Sequence, residues 1–257
     1  MTAPVTHARV AFRDRPVVDV LDLALRFLGV HARAYAKLAA VVLVPALAIT
    51  LLAGRLLGWP HAWAVAIPVA ICAEVPFTVL ASRLVFEDHV RVRDVLRAGL
   101  AALPRVALVR LLCLVAIALG FGALFLPGAW LAACFFFIGE ILLLERGPGA
   151  FGRALRLASQ AFADVLIGLL LLGLLPVIAV VLADVAGRGV LGELFQIQPP
   201  PPIWQAYGGV LPVLGLVLQV PFRATARFLL YLNVRTRVEG WDIQNRFVRI
   251  ALGPERP

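Results

Sequence analysis

The sequence predicts an all-α protein that crosses a membrane six times. Of its 257 residues, 62% are apolar and only 15% are charged, whereas soluble domains are about half apolar and about a quarter charged. Six stretches also hold the roughly 20 mostly apolar residues that a spanning helix requires. A water-soluble fold of this composition would expose large apolar patches and aggregate, so a soluble enzyme is excluded.

The apolar stretches predict the spans, with boundaries where charge or proline returns. In chain order they cover 37–57, 59–82, 104–124, 127–144, 165–187 and 207–232. The uncharged run 111–139 is long enough for one helix, but Pro127 and Gly128 favour a hairpin there. The chain is therefore predicted to form a single membrane domain over 1–257, with an amphipathic N-terminal helix within 1–36, a six-helix bundle over 37–232 and a tail over 233–257.

The distribution of basic residues predicts the orientation. The net charge is +9, with 24 basic residues. Of these, 21 lie at positions 1–37, 83–105 or 146–163, or from Arg223 onward. By the positive-inside rule both termini are cytoplasmic. Because the arginines flank apolar runs, the expected partner is a bilayer with anionic headgroups, and no nucleic acid is expected.

Three amphipathic stretches precede the three helical hairpins. They are predicted to be helices at the cytoplasmic interface, with their arginines towards the headgroups. The stretches are Val17–Ala36, Val90–Leu103 and Ala150–Phe162. In the first, the apolar positions at helical spacing are Val17, Leu21, Leu25 and Leu28.

Four of the ionisable residues inside predicted spans form the first candidate site. They are Glu74, Arg110, Glu140 and Arg223, all in the inner half of the bilayer. Each costs about 2.5–3.5 kcal/mol on insertion scales, so a compensating role is expected. Their signs balance, which favours mutual pairing. A polar cavity for a lipid headgroup or small anion, or a proton relay through Glu74, are the alternatives.

A dense polar string at the end of the sixth span forms the second candidate site. It consists of Arg235, Arg237, Glu239, Gly240, Trp241 and Asp242. Glycine suits a helix end, and arginines there would meet lipid phosphates. A tryptophan beside arginines is also typical of a protein interface. The string is therefore either a structural exit from the membrane or a docking site for a protein partner at the cytoplasmic face.

Three segments carry a family resemblance over nearly the whole chain. They are the opening 18–27, the segment from Leu126-Pro-Gly-Ala-Trp130 to Ala154-Leu-Arg156, and the string 231–242. The chain resembles bacterial six-span proteins related to the membrane domain of glycerophosphoryl diester phosphodiesterase, and their relatives of unknown function. Asn233 stands where these proteins often carry Asp. These 257 residues do not contain the soluble phosphodiesterase domain of the fused members, so their hydrolase activity is not carried over. The resemblance implies a membrane domain with no agreed chemistry.

No catalytic motif emerges from the sequence. It contains no HExxH, GxSxG or Walker A motif, and no carboxylate cluster suited to a metal. Three cysteines without CxxC spacing indicate neither disulfides nor zinc. We therefore expect a non-enzymatic protein of the bacterial inner membrane, without cofactor or metal, acting as a scaffold or assembly partner in a membrane complex. A permease subunit for a lipid or small anionic substrate is the alternative, and a lipid-handling enzyme or anchor the third.

Overall fold

The computed structural model describes residues 15–87, 90–145, 149–206 and 208–238, and the described chain is helical without strands. Its helices are α1 (Val17–Val30), α2 (Ala32–Leu57), α3 (Trp59–Phe86), α4 (Val92–Ala123), α5 (Phe125–Cys134), α6 (Ile138–Leu144), α7 (Ala150–Gln160), α8 (Phe162–Gly189), α9 (Ile203–Ala206), α10 (Val210–Leu218) and α11 (Val220–Val238). A π-helical turn, Val190–Leu194, continues α8.

Six helical segments are long and apolar enough to cross a membrane. Helices α2, α3 and α4 are the first three. The fourth, Phe125–Leu144, is divided into α5 and α6, the fifth is α8 with its π-helical turn, and the sixth, Val210–Val238, is divided into α10 and α11. The chain is a multi-pass helical membrane protein, and the predicted fold class is confirmed.

Helices α3 and α11 form the centre of the bundle. They are the most deeply buried of the spanning segments. Helix α2, the α4–α5 hairpin and the α8–α10 pair pack around this centre. Helix α11 has the lowest mean hydropathy of the long helices, yet nearly all its residues are buried. Polar side chains are costly in lipid, so the less apolar helix belongs inside the protein.

The predicted helix bounds need three corrections. The stretch Val90–Leu103 is not a separate interfacial helix, because α4 runs unbroken through Pro104 to Ala123. A proline removes one backbone hydrogen bond, and here the residues on both sides stay helical. Helix α2 begins before Lys37, and α11 continues past Leu232 to Val238.

Helix α1 packs against α11 through a face that overlaps the predicted apolar stripe and extends beyond it. Its buried residues are Val17, Val20, Ala24 and Phe27, whereas Leu25 is 58% exposed. Of the predicted stripe, Val17 is buried and Leu21 and Leu28 pack partly buried against the core, so the prediction is wrong only at Leu25. At a membrane interface both the protein and the lipid are apolar, so apolar residues occupy more than one face and no longer identify the packed one.

Asn233 on α11 forms two hydrogen bonds with the backbone just before α1. The backbone N–H of Arg15 donates to Asn233 Oδ1 at 3.3 Å, and Asn233 Nδ2 donates to the Arg15 carbonyl at 2.9 Å. An amide can accept and donate at once, whereas an ionised Asp only accepts. This pair of bonds gives a physical reason for Asn at this position.

The loop before the sixth span is held on α8. Asp184 is buried, and its Oδ2 accepts the backbone N–H of Ile203 at 3.2 Å. The guanidinium of Arg188 lies 5.8 Å from the ring centroid of Trp204. These contacts secure the segment after Pro199–Pro202 to the bundle.

The orientation of the bundle stays a prediction, and cysteine labelling tests it. In a variant with Cys72, Cys113 and Cys134 replaced by alanine, a cysteine placed at Gln198 should react with an impermeant reagent added outside. A cysteine placed at Asp94 should react only after permeabilisation, because the positive-inside rule puts that segment in the cytoplasm. External labelling of the Asp94 position would invert the topology.

Candidate functional site

Glu74 is the centre of a buried charge cluster. Its carboxylate on α3 lies 3.2 Å from Arg110 Nη1 on α4. It also lies 2.8 Å from Arg223 Nη1 and 3.5 Å from Arg227 Nη1, both on α11. One carboxylate thus joins three spans. The structure therefore brings three of the four sequence-predicted intramembrane residues into direct contact.

Glu140 joins the group through an arginine that the sequence analysis missed. Arg227 Nε donates to Glu140 Oε1 at 2.6 Å, so Arg227 bridges the two carboxylates. The prediction counted Arg227 among the cytoplasmic residues, although it follows Arg223 by four positions and shares its helix face. We call Glu74, Arg110, Glu140, Arg223 and Arg227 the arginine cluster.

The arginine cluster carries an excess of positive charge. The four predicted residues balance in sign, but Arg227 adds a third arginine to the two glutamates, so the formal charge of the cluster is +1. An uncompensated charge away from water is costly, so one further negative group would stabilise the site. This imbalance is the main electrostatic property of the cluster.

A cavity of about 270 Å³ lies against the cluster. Glu74 and the three arginines form its polar wall, and apolar side chains form the remainder. Leu114 on α4 and Gly173 on α8 line it and are also exposed at the bundle surface. The cavity therefore opens towards the surrounding lipid between α4 and α8.

The fourth span is interrupted beside this cavity. Helix α5 ends at Cys134 and α6 begins at Ile138, and Phe135 and Phe136 between them line the cavity. Irregular backbone at membrane depth is tolerated where it is buried in protein or lines a cavity. The break in the fourth span therefore lies beside the cavity. In transporters with discontinuous spans, binding sites likewise lie at the helix breaks.

Gly139 lets two guanidinium groups approach the start of α6. A Cβ at this position would lie 2.6 Å from Arg110 Nη2 and 2.9 Å from Arg227 Nη2. Such contacts are too short for any other residue without displacement of the arginines. The glycine therefore contributes to the site by the absence of a side chain.

The three arginines differ in how firmly they are held. Arg110 Nη1 donates to both Glu74 Oε2 and the Ile71 carbonyl, and Arg227 donates to Glu140. Arg223 touches Glu74 at 2.8 Å, but the contact is not aligned as a hydrogen bond, since Glu74 Oε1 accepts none from the described residues. The Arg223 side chain is 23% exposed, against 9% for Arg110 and 10% for Arg227. Arg223 is the most accessible and least constrained.

A second polar network lies further along α11, towards the C-terminal end of the helix. Tyr231 donates to Glu145, and Arg235 Nη1 lies 3.5 Å from Glu145 Oε1. Arg153 on α7 lies 2.8 Å from Glu145 Oε2. Positions 223, 227, 231 and 235 thus form one polar stripe at a spacing of four.

The predicted C-terminal corner is described only in part. Arg235 belongs to the Glu145 network, and Arg237 pairs with Asp164 on α8. Both arginines therefore contact their own bundle. Glu239, Gly240, Trp241 and Asp242 lie outside the described residues.

The geometry describes a polytopic helical protein with a buried, positively charged site at a lipid-facing cavity. Within the described ranges, no three His, Cys, Asp or Glu side chains are placed to hold a metal ion. Comparisons with protein-family models, curated proteins and solved structures find no match for this chain. Its function must therefore be argued from the site itself.

Proposed function

We propose that this protein binds an anionic amphiphile in the cavity, as the substrate-binding membrane subunit of a permease. One observation supports this above the others: a cluster with a charge of +1 forms the wall of a cavity that opens to lipid. The acidic headgroup would bind the arginines, and the apolar chain would extend between α4 and α8. Fixed charges act strongly in such a low-dielectric setting.

The proposed role is binding without catalysis, in a bacterial inner membrane with both termini in the cytoplasm. The sequence contains no HExxH, GxSxG or Walker A motif. Arginine suits the proposed ligand because its planar fork recognises carboxylates and phosphates, and it stays charged when buried. The resemblance to the membrane domain of a phosphodiesterase is compatible with this role.

A cavity-blocking substitution tests the proposal without changing the charge. Gly173 lines the cavity, and no atom lies within 4 Å of a Cβ built there, so Gly173→Leu should fold and fill the opening. We expect at least about a tenfold loss of affinity for a radiolabelled anionic lysolipid in neutral detergent. Gly122→Leu is the control, because its site on α4 is equally open and does not line the cavity. Equal binding by both variants would refute binding in this cavity.

An assembly partner in a membrane complex is the second candidate. It is favoured by a separate groove of about 510 Å³ between α2, α3 and α4, lined only by apolar residues, glycine and cysteine. Leu100 is 66% exposed on its wall. If this role is correct, Leu100→Arg should release a stoichiometric partner, whereas Gly173→Leu should retain it.

A further inference from the structure

We infer that the cavity selects an amphiphile whose headgroup carries a single negative charge, and that this headgroup takes Arg223 from Glu74. The inference rests on the proposed function and names its substrate class. It depends on the charge of the cluster and on the differences in hydrogen bonding and exposure among its three arginines.

The charge of the cluster sets the number of ligand charges. With three arginines and two glutamates, one added negative charge makes the site neutral. A headgroup with two charges would leave an excess of one negative charge beside Glu74. A neutral headgroup would leave the excess positive charge uncompensated. In a setting shielded from water, both imbalances cost more than the neutral state.

The hydrogen-bond geometry identifies Arg223 as the arginine that changes partner. Its Nε is buried and makes no hydrogen bond with any described residue. Its contact with Glu74 is close at 2.8 Å but is not aligned. A phosphate or carboxylate could accept aligned bonds from this guanidinium, and charge-assisted bonds of this kind are among the strongest in proteins.

Glu74 keeps two arginine partners when Arg223 binds the headgroup instead. Its Oε2 still accepts from Arg110 Nη1 at 3.2 Å and lies 3.5 Å from Arg227 Nη1. The exchange therefore costs one misaligned contact and leaves a paired carboxylate.

Arg110 supplies a second donor for the same headgroup. Its side chain is about nine-tenths buried and lines the cavity, and its Nη2 makes no hydrogen bond within the described chain. Arg227 is less suited, since its Nε is already engaged by Glu140. The headgroup is therefore expected to lie between Arg223 and Arg110.

Three lysolipids with one common acyl chain test the charge rule. The headgroups are phosphoglycerol (one negative charge), a bare phosphate monoester (close to two above pH 7) and phosphocholine (net neutral). Each competes with radiolabelled lysophosphatidylglycerol for the purified full-length protein in neutral detergent at pH 8. We expect the singly charged lipid to bind at least about tenfold more tightly than either of the others.

Charge variants of the cluster should move this preference in opposite directions. Arg223→Gln makes the site neutral and should abolish the preference for one charge over none, whereas Arg223→Lys should retain part of it. Glu74→Gln raises the charge to +2 and should shift the preference to the phosphate monoester. Asp22→Asn and Arg26→Gln are the controls, because that pair lies on the exposed surface of α1.

The outcomes separate the inference from the proposed function. If all three lysolipids compete equally while Gly173→Leu still abolishes binding, the charge rule is overturned and the binding function stands. If none binds, the proposed function itself fails. If Glu74→Gln does not fold, Arg223→Gln and Arg223→Lys decide alone: an unchanged preference in both variants would contradict the role of Arg223.

Discussion

Arg227→Leu is expected to lower the free energy of unfolding by about 3–5 kcal/mol, the usual cost of removing one partner of a buried ion pair. Glu140 is 0% exposed, and Arg227 Nε, at 2.6 Å, is the hydrogen-bond donor to its carboxylate that the structure describes. Removal of the guanidinium leaves the Glu140 carboxylate buried without this hydrogen-bond donor and its closest ion-pair partner. The measurement is unfolding in mild detergent, by melting temperature and by denaturant titration.

The double variant distinguishes pairing from packing. Arg227→Leu combined with Glu140→Gln removes the stranded charge, so it should be more stable than the sum of the single effects predicts. Arg26→Leu is the matched control, because its pair with Asp22 is exposed and should be worth less than about 1 kcal/mol. Strictly additive effects at positions 227 and 140 would show that the two side chains contribute independently.

The spans could be predicted from the sequence because membrane insertion depends on local composition. A run of apolar residues is costly in water wherever it occurs, so the six segments are evident without tertiary information. Four members of the arginine cluster were evident for the converse reason, since a charge within an apolar run needs an explanation. Their mutual contacts, and the unequal hold on the arginines, required the three-dimensional packing.

Arg227 escaped prediction although it lies within the predicted sixth span, 207–232, because it is counted there with the cytoplasmic basic residues from Arg223 onward. The mean hydropathy falls after Leu218, where Arg223, Arg227 and Asn233 follow one another. A fall of this kind is typical of a membrane boundary, which favours counting these arginines as cytoplasmic. Here it reflects a helix shielded by neighbouring helices rather than by headgroups, which only the fold reveals.

The break between α5 and α6 has no signal of its own in the sequence. The residues concerned are Phe135, Phe136 and Phe137, with no proline or glycine among them. The Phe135 ring meets Phe151 of α7 edge-on at 5.9 Å, and the Phe137 ring meets Tyr231 of α11 at 5.8 Å. Tertiary packing on both sides of the span therefore decides where this helix divides.

Gly215→Ala is expected to destabilise the protein by about 1–3 kcal/mol, the range found for overpacked cores. A Cβ at this position on α10 would lie 2.7 Å from the Ala183 Cβ and would collide with the Ala179 carbonyl oxygen, both on α8. Small residues allow membrane helices to approach this closely, and a backbone oxygen cannot turn aside as a side chain can. The substitution should therefore push α8 and α10 apart.

Since α8 also forms one wall of the cavity, this displacement should weaken lysolipid binding as well as lower the melting temperature. Gly122→Ala is the control, because no atom lies within 4 Å of a Cβ built there. Alanine favours helix over glycine by about 1 kcal/mol, so that variant should be unchanged or slightly more stable. Equal melting temperatures for the two alanine variants would show that the packing of α8 against α10 does not require glycine at position 215. The position of α8 at the cavity would then not depend on this close contact.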